Sequence, residues 1–136
     1  MQSCRPGKLI SLDILGERRY SSPKLIMGLK SRDLFPGTLD LLILQSLQDG
    51  AAHGYSIMER IWTSSGELFR VEEGALYPAL HRLQLKGWLA AEWGSSEANR
   101  RAKFYELTAE GRRQLVEERE GWDHLVLGMR RVLEGS

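Results

Sequence analysis

A single cysteine, Cys4, stands in the 136 residues. No disulfide can form within one chain, which suits a reducing compartment and leaves the fold to packing alone. Long apolar runs are missing too. The most hydrophobic stretch, Leu39 to Leu47, is interrupted by Asp40, Gln45 and Ser46 and falls well short of the roughly 20 residues a membrane-spanning helix needs. Asp13 and Glu17 break any apolar core near the N-terminus, so a secretory leader is not expected there. These absences predict a cytoplasmic protein.

Histidine is scarce as well. His53, His81 and His124 are scattered, and neither their spacing nor their distance from Cys4 suits a metal. There is no Gly-x-Ser-x-Gly, no phosphate-binding glycine loop and no paired acid and base. An enzyme, a cofactor and a resident metal are therefore not expected. The formal net charge is only +1, so bulk charge names no partner. Its distribution is more informative. Residues 1–33 carry seven basic and three acidic side chains, 34–73 two and six, 74–105 five and two, and 106–136 five and seven. A basic block lies between two acidic ones, which fits either a solvated face or a local footprint for nucleic acid.

Residues 1–33 read as a tail, because Pro6, Gly7, Gly16, Ser21, Ser22 and Pro23 interrupt every element and no apolar period persists. A short helix around Leu9 to Leu15 is weakly supported. Met27 stands just ahead of the domain, and the expectation is that it is the natural start, with 1–26 an upstream extension.

From residue 34 the pattern becomes regular. Thr38 suits an N-cap, and Leu39, Leu42, Ile43 and Leu47 form a stripe that Leu41 and Leu44 widen, as in a core helix stopped by Asp49-Gly50. A second helix is predicted over Gly54–Ser64, followed by an extended Leu68–Val71. A third starts near Glu73-Gly74-Ala75, buries Leu76, Leu80 and Leu83, and turns Tyr77, Pro78, His81, Arg82 and Lys86 outward. Pro78 is expected close to the first turn, where a missing N–H costs least. Two aromatic-rich runs, Trp88–Trp93 and Arg101–Leu107, flank a polar loop and read as a β-hairpin tipped by Arg100, Arg101 and Lys103. Thr108 then caps a long helix. Its seam is Leu115, Trp122, Leu125 or Val126, Met129, and Val132 or Leu133, strong only in the last half because Glu118 interrupts it.

This order predicts a mainly α fold with a small β-hairpin: a winged helix-turn-helix over 34–107 and a C-terminal dimerisation helix over 108–134. In such a module the third helix enters the major groove and the hairpin reaches the flanking backbone or minor groove. Tyr77, His81 and Arg82 are the candidates for base or near-base contact. Gly74 lets the helix N-terminus approach a phosphate, and Pro78 lies beside it. Lys86 suits a phosphate contact or an idle surface charge. Tyr77 has a competing use, its ring packed on the domain. Three cations at one hairpin tip repel one another unless an anion is bound there, which also weighs against a winged helix serving only protein contacts. The seam around Trp122 needs a partner. A second copy is the simplest one, and folding back on the first helix is the alternative.

Several of these motifs occur together in one known family. Leu34-Phe35-Pro36-Gly37-Thr38-Leu39-Asp40, His53-Gly54-Tyr55, Glu73-Gly74-Ala75-Leu76-Tyr77-Pro78-Ala79-Leu80-His81-Arg82-Leu83, Lys86-Gly87-Trp88 and Arg100-Arg101-Ala102-Lys103-Phe104-Tyr105-Glu106-Leu107-Thr108 strongly resemble the PadR family of bacterial transcriptional regulators. The resemblance covers about residues 34–133. It implies a dimeric winged-helix DNA-binding protein, usually a repressor, that reads a palindromic operator. The single C-terminal helix is similar to that of the smaller subgroup. In multidrug-sensing members of that subgroup a tryptophan in this helix stacks on planar aromatic small-molecule effectors at the dimer interface, a place that Trp122 takes here. Packing of the dimer core is the other use open to Trp122.

Overall fold

The computed structural model describes residues 29–30 and 37–135. The suggested helix over Leu9–Leu15 and the suggested start at Met27 lie outside the described residues. In chain order the elements are β1 (Leu29–Lys30), α1 (Thr38–Ser46), β2 (Ala52–His53), α2 (Gly54–Ser64), β3 (Phe69–Arg70), α3 (Glu73–Leu85), β4 (Leu89–Ser95), β5 (Arg101–Leu107) and α4 (Ala109–Leu133). β1 falls inside the segment read as a tail and pairs in parallel with β3, Leu29 opposite Phe69.

One core holds the helices to the sheet. Ile43, Leu44 and Leu47 from α1 and its exit meet Ile57 and Ile61 of α2. The expected stripe of α3, Leu76, Leu80 and Leu83, is fully buried against them, with Ala79 beside it. Leu89 of β4 and Tyr105 and Leu107 of β5 close the core from the sheet side. Burying a leucine or isoleucine contributes about 1.5–3 kcal/mol, so these side chains fix how the helices sit under the sheet.

The hairpin expected from the sequence is the larger part of a three-stranded antiparallel sheet, ordered β2-β5-β4. Ala52 and His53 pair with Tyr105 and Phe104 along the free edge of β5. This strand satisfies backbone groups that an open hairpin would leave to solvent. Two residues are too few to show a period of two, which is why the pattern did not predict them.

The entry to α1 also differs from expectation. Thr38 is the first helical residue, and the N-cap is Gly37, held at φ 91° without a side-chain cap bond. That left-handed backbone favours glycine and brings the chain into the helix one residue early. At the other end, Arg60 of α2 donates to the carbonyls of Ser46 (2.8 Å), Gly50 (3.1 Å) and Ala51 (3.3 Å). Its guanidinium closes the negative pole of α1.

α4 is anchored at its start. Thr108 Oγ1 accepts from the Gly111 N–H at 3.0 Å and donates to the Gly87 carbonyl at 2.6 Å, while the Thr108 N–H donates to the Trp88 carbonyl at 3.1 Å. Gly111 is tightly enclosed, since a Cβ there would run into the Trp88 carbonyl. Leu115, only 4% exposed, belongs to the core. It is therefore corrected out of the predicted dimer seam: its side chain is already covered by its own domain. Beyond it Glu118, Gly121, Trp122 and Leu125 still line a groove with Gly37 and Leu41 at the start of α1, and the 25 residues of the helix span about 37 Å at 1.5 Å each.

Candidate nucleic-acid interface

Three elements meet around one open groove. α3 contributes Tyr77, the start of α2 contributes His53, Gly54 and Tyr55, and the wing contributes Trp93, Ser96, Arg101, Lys103 and Tyr105. Tyr77 of the third helix and Arg101 and Lys103 of the hairpin thus open onto the same groove.

Tyr77 packs its ring on the domain and keeps an exposed edge. Its ring lies over Gly54, where a Cβ would meet its hydroxyl at 2.5 Å, yet the side chain stays 44% exposed toward the groove. Gly74, Pro78 and His81 are exposed along the outward face of α3. Nothing lies within 4 Å of a Cβ placed on Gly74, so that turn is open to a ligand. Pro78 is the sixth residue of the helix, close to its first turn as expected, and cannot donate to the Gly74 carbonyl. Leu85 is 76% exposed at the far end of the same helix.

Two of the expected contacts have partners within the domain. Arg82 Nη2 donates to Asp40 Oδ1 of α1 at 2.5 Å, and its side chain remains half exposed. It sits on the flank of α3 toward α1, opposite the flank that carries Tyr77. The Lys86 ammonium lies 4.6 Å above the Trp88 ring at the C-cap of α3, away from the residues that line the groove.

The wing is ordered by its register. Trp93 pairs with Lys103 and Ser95 with Arg101, so these four share one face of the hairpin with Tyr105. Toward the base that face becomes the buried Leu89 and Leu107, and toward the tip it is exposed. The loop turns through Asn99 at φ 58°, with the Ser96 N–H donating to the Arg100 carbonyl at 2.8 Å. Arg100 is exposed next to that turn, outside the groove lining.

The wing tip is tied to the helix-turn-helix through His53. Its Nδ1 accepts from the Ser56 N–H at 3.3 Å as the N-cap of α2, and its Nε2 lies 3.3 Å from Glu97 Oε1. A backbone hydrogen bond and then the His53 contact hold the Glu97 carboxyl below its ordinary value. Burial, with the Tyr77 phenol as a second cause, pushes the Tyr105 hydroxyl up. The sequence marked neither His53 nor Trp93 as part of a site, although both stand in or beside the motifs that carried the resemblance.

Residues 43–117 match the transcriptional regulator PadR-like family, over half of the chain. The chain belongs to that family. Among relatives, a transcriptional regulator of Mycobacterium tuberculosis is 33% identical over 105 residues, which cover 77% of this chain and 92% of that protein. A PadR family regulator from Eggerthella lenta is 34% identical in its crystal structure, with a TM-score of 0.62 over 74% of this chain and 85% of that one. A PadR-like regulator from Bacillus cereus is 25% identical, with the same TM-score over 74% and 95%. As a PadR-like protein the chain is a DNA-binding regulator of transcription and not an enzyme. Among the described residues no helix is long and apolar enough to cross a membrane. The PadR-like match ends at residue 117, so Trp122 and the rest of the seam lie beyond it.

Proposed function

We propose that this PadR-like regulator is a cytoplasmic repressor that binds a palindromic operator as a homodimer. In this reading α3 enters the major groove, and Arg100, Arg101 and Lys103 hold the flanking backbone. The observation that carries it is the shared groove: Tyr77 of α3 and Arg101 and Lys103 of the wing open onto the same space.

The pairing of two chains is proposed through the exposed part of α4. Trp122, Leu125, Met129, Val132 and Leu133 are all open to solvent on one chain, and Val126 is half-buried beside them. An apolar stripe of this kind is costly in water and is covered by a like stripe in a two-fold dimer. A planar aromatic effector stacked on Trp122 is proposed as the release signal, since that ring lines an apolar groove with Leu125 and Met129.

The test is a shift assay on DNA upstream of the chain's own gene across salt concentrations. Binding through about six phosphates falls steeply with salt, by roughly 10³-fold or more between 50 and 200 mM. Affinity that does not change with salt rules out the backbone contacts. Transcription from that DNA rising when the gene is deleted supports repression, and falling transcription overturns it.

A further inference from the structure

Two cations on the groove side of the wing are each backed by an aromatic ring. The Arg101 guanidinium carbon lies 4.4 Å above the centroid of Trp93, and the Lys103 ammonium lies 5.8 Å from that of Tyr105. Trp93 is 57% exposed, a large apolar ring kept at the surface, while Tyr105 is almost fully buried. The register makes this a ladder: Arg101, Lys103 and Tyr105 follow one another on alternate residues of β5, and Trp93 stands directly across from Lys103. Glu92 and Glu106 fall one residue out of phase and face the opposite side of the hairpin. The remaining wing carboxylate, Glu97, is turned to His53. The cationic face therefore carries no carboxylate of the two strands.

We propose that Trp93 and Tyr105 are positioning residues that hold Arg101 and Lys103 aimed at DNA phosphates. A long cationic side chain on a bare strand samples many rotamers and must be immobilised when it meets a phosphate. A ring beneath it removes most of those rotamers in advance and attracts the charge through its negative face. A planar guanidinium can stack on an indole and still offer N–H donors at its edge to an anion. The weaker Lys103 contact follows from the longer distance. This inference rests on the reading of the wing as a phosphate-binding element and adds the residues that aim it.

Phosphate contacts are independent of sequence, so mixed-sequence duplex DNA is a sufficient probe. Binding is measured against salt for the full chain and for Arg101→Ala, Trp93→Leu and Trp93→Phe, with thermal melts to show that each is folded. Arg101→Ala is expected to lower affinity several-fold and to reduce the slope of log K against log salt by roughly 0.9 for each phosphate lost. Trp93→Leu changes no charge, yet it is expected to lower the same slope and to cost about 3-fold in affinity. Trp93→Phe, which restores a ring, is expected to recover most of both. An unchanged slope for Trp93→Leu overturns the positioning role, as does additive loss when Trp93→Leu is combined with Arg101→Ala. An unchanged slope for Arg101→Ala itself removes the phosphate reading of the wing, a separate failure that takes the proposal with it.

Discussion

The ring of Tyr77 fills the volume that any side chain on residue 54 would need. A Cβ there would lie 2.5 Å from the Tyr77 hydroxyl and 2.8 Å from its Cε1. The second and third helices therefore meet at a contact that demands both a glycine and a large flat ring. Gly54→Ala should displace Tyr77 and cost about 1–3 kcal/mol, the usual range for overpacking. In a Tyr77→Ala background the same substitution should cost little. Urea unfolding of the four proteins checks this, and additive losses would show that the two residues are not coupled.

Gly111→Ala should be worse tolerated than Gly54→Ala. The atom in its way is the Trp88 backbone carbonyl, which cannot rotate aside as a phenol can. A loss above about 2 kcal/mol is expected, at the upper part of the overpacking range. The midpoint of urea unfolding measures it. A value at or below that of Gly54→Ala contradicts the ordering.

Leu115 and Trp122 lie on one stripe of α4 but should fail differently. Leu115→Ala empties a buried core position and should cost about 2–5 kcal/mol without changing the assembly state. Trp122→Asp leaves the domain folded and should yield monomers in sedimentation. An unchanged dimer would move the interface away from this stripe.

Arg82 stands between two uses, an ion pair with Asp40 and contact with a base. Removing a base contact made by its guanidinium should reduce discrimination between matched and mismatched sites by about 1–3 kcal/mol. Titration of Arg82→Ala on both sites decides. Equal loss on the two leaves Arg82 as a brace between α3 and α1, where a half-exposed pair contributes about 0–1 kcal/mol.

Much of the fold was legible because its helices carry apolar stripes bounded by glycine, serine or threonine. Gly54–Ser64 was read with the bounds it has, and Leu76, Leu80 and Leu83 were read as a buried stripe that proves fully buried. The misses have local causes. Ala52–His53 is too short to show alternation. Thr38 has a capping side chain, but Gly37 took the cap by adopting a conformation that no pattern records. Leu115 fits both a seam and a core, and only the approach of α4 to its own domain separates the two. The aromatic residues of the wing looked like strand filler, since spacing does not reveal which ring lies under which cation. Arg82 and Lys86 were read outward correctly, but their partners, Asp40 and Trp88, are set by tertiary geometry.

The inward turn of Arg60 bears on how a duplex would be met. That guanidinium is committed to the carbonyls of Ser46, Gly50 and Ala51 at and after the end of α1, and Arg82 shares its charge with an aspartate. Counting basic residues thus overstates the number free to touch a phosphate. Arg101 and Lys103 stand on one face of the wing with Glu92 and Glu106 on the other, so a duplex would be drawn to that face only once it is close, within about a Debye length.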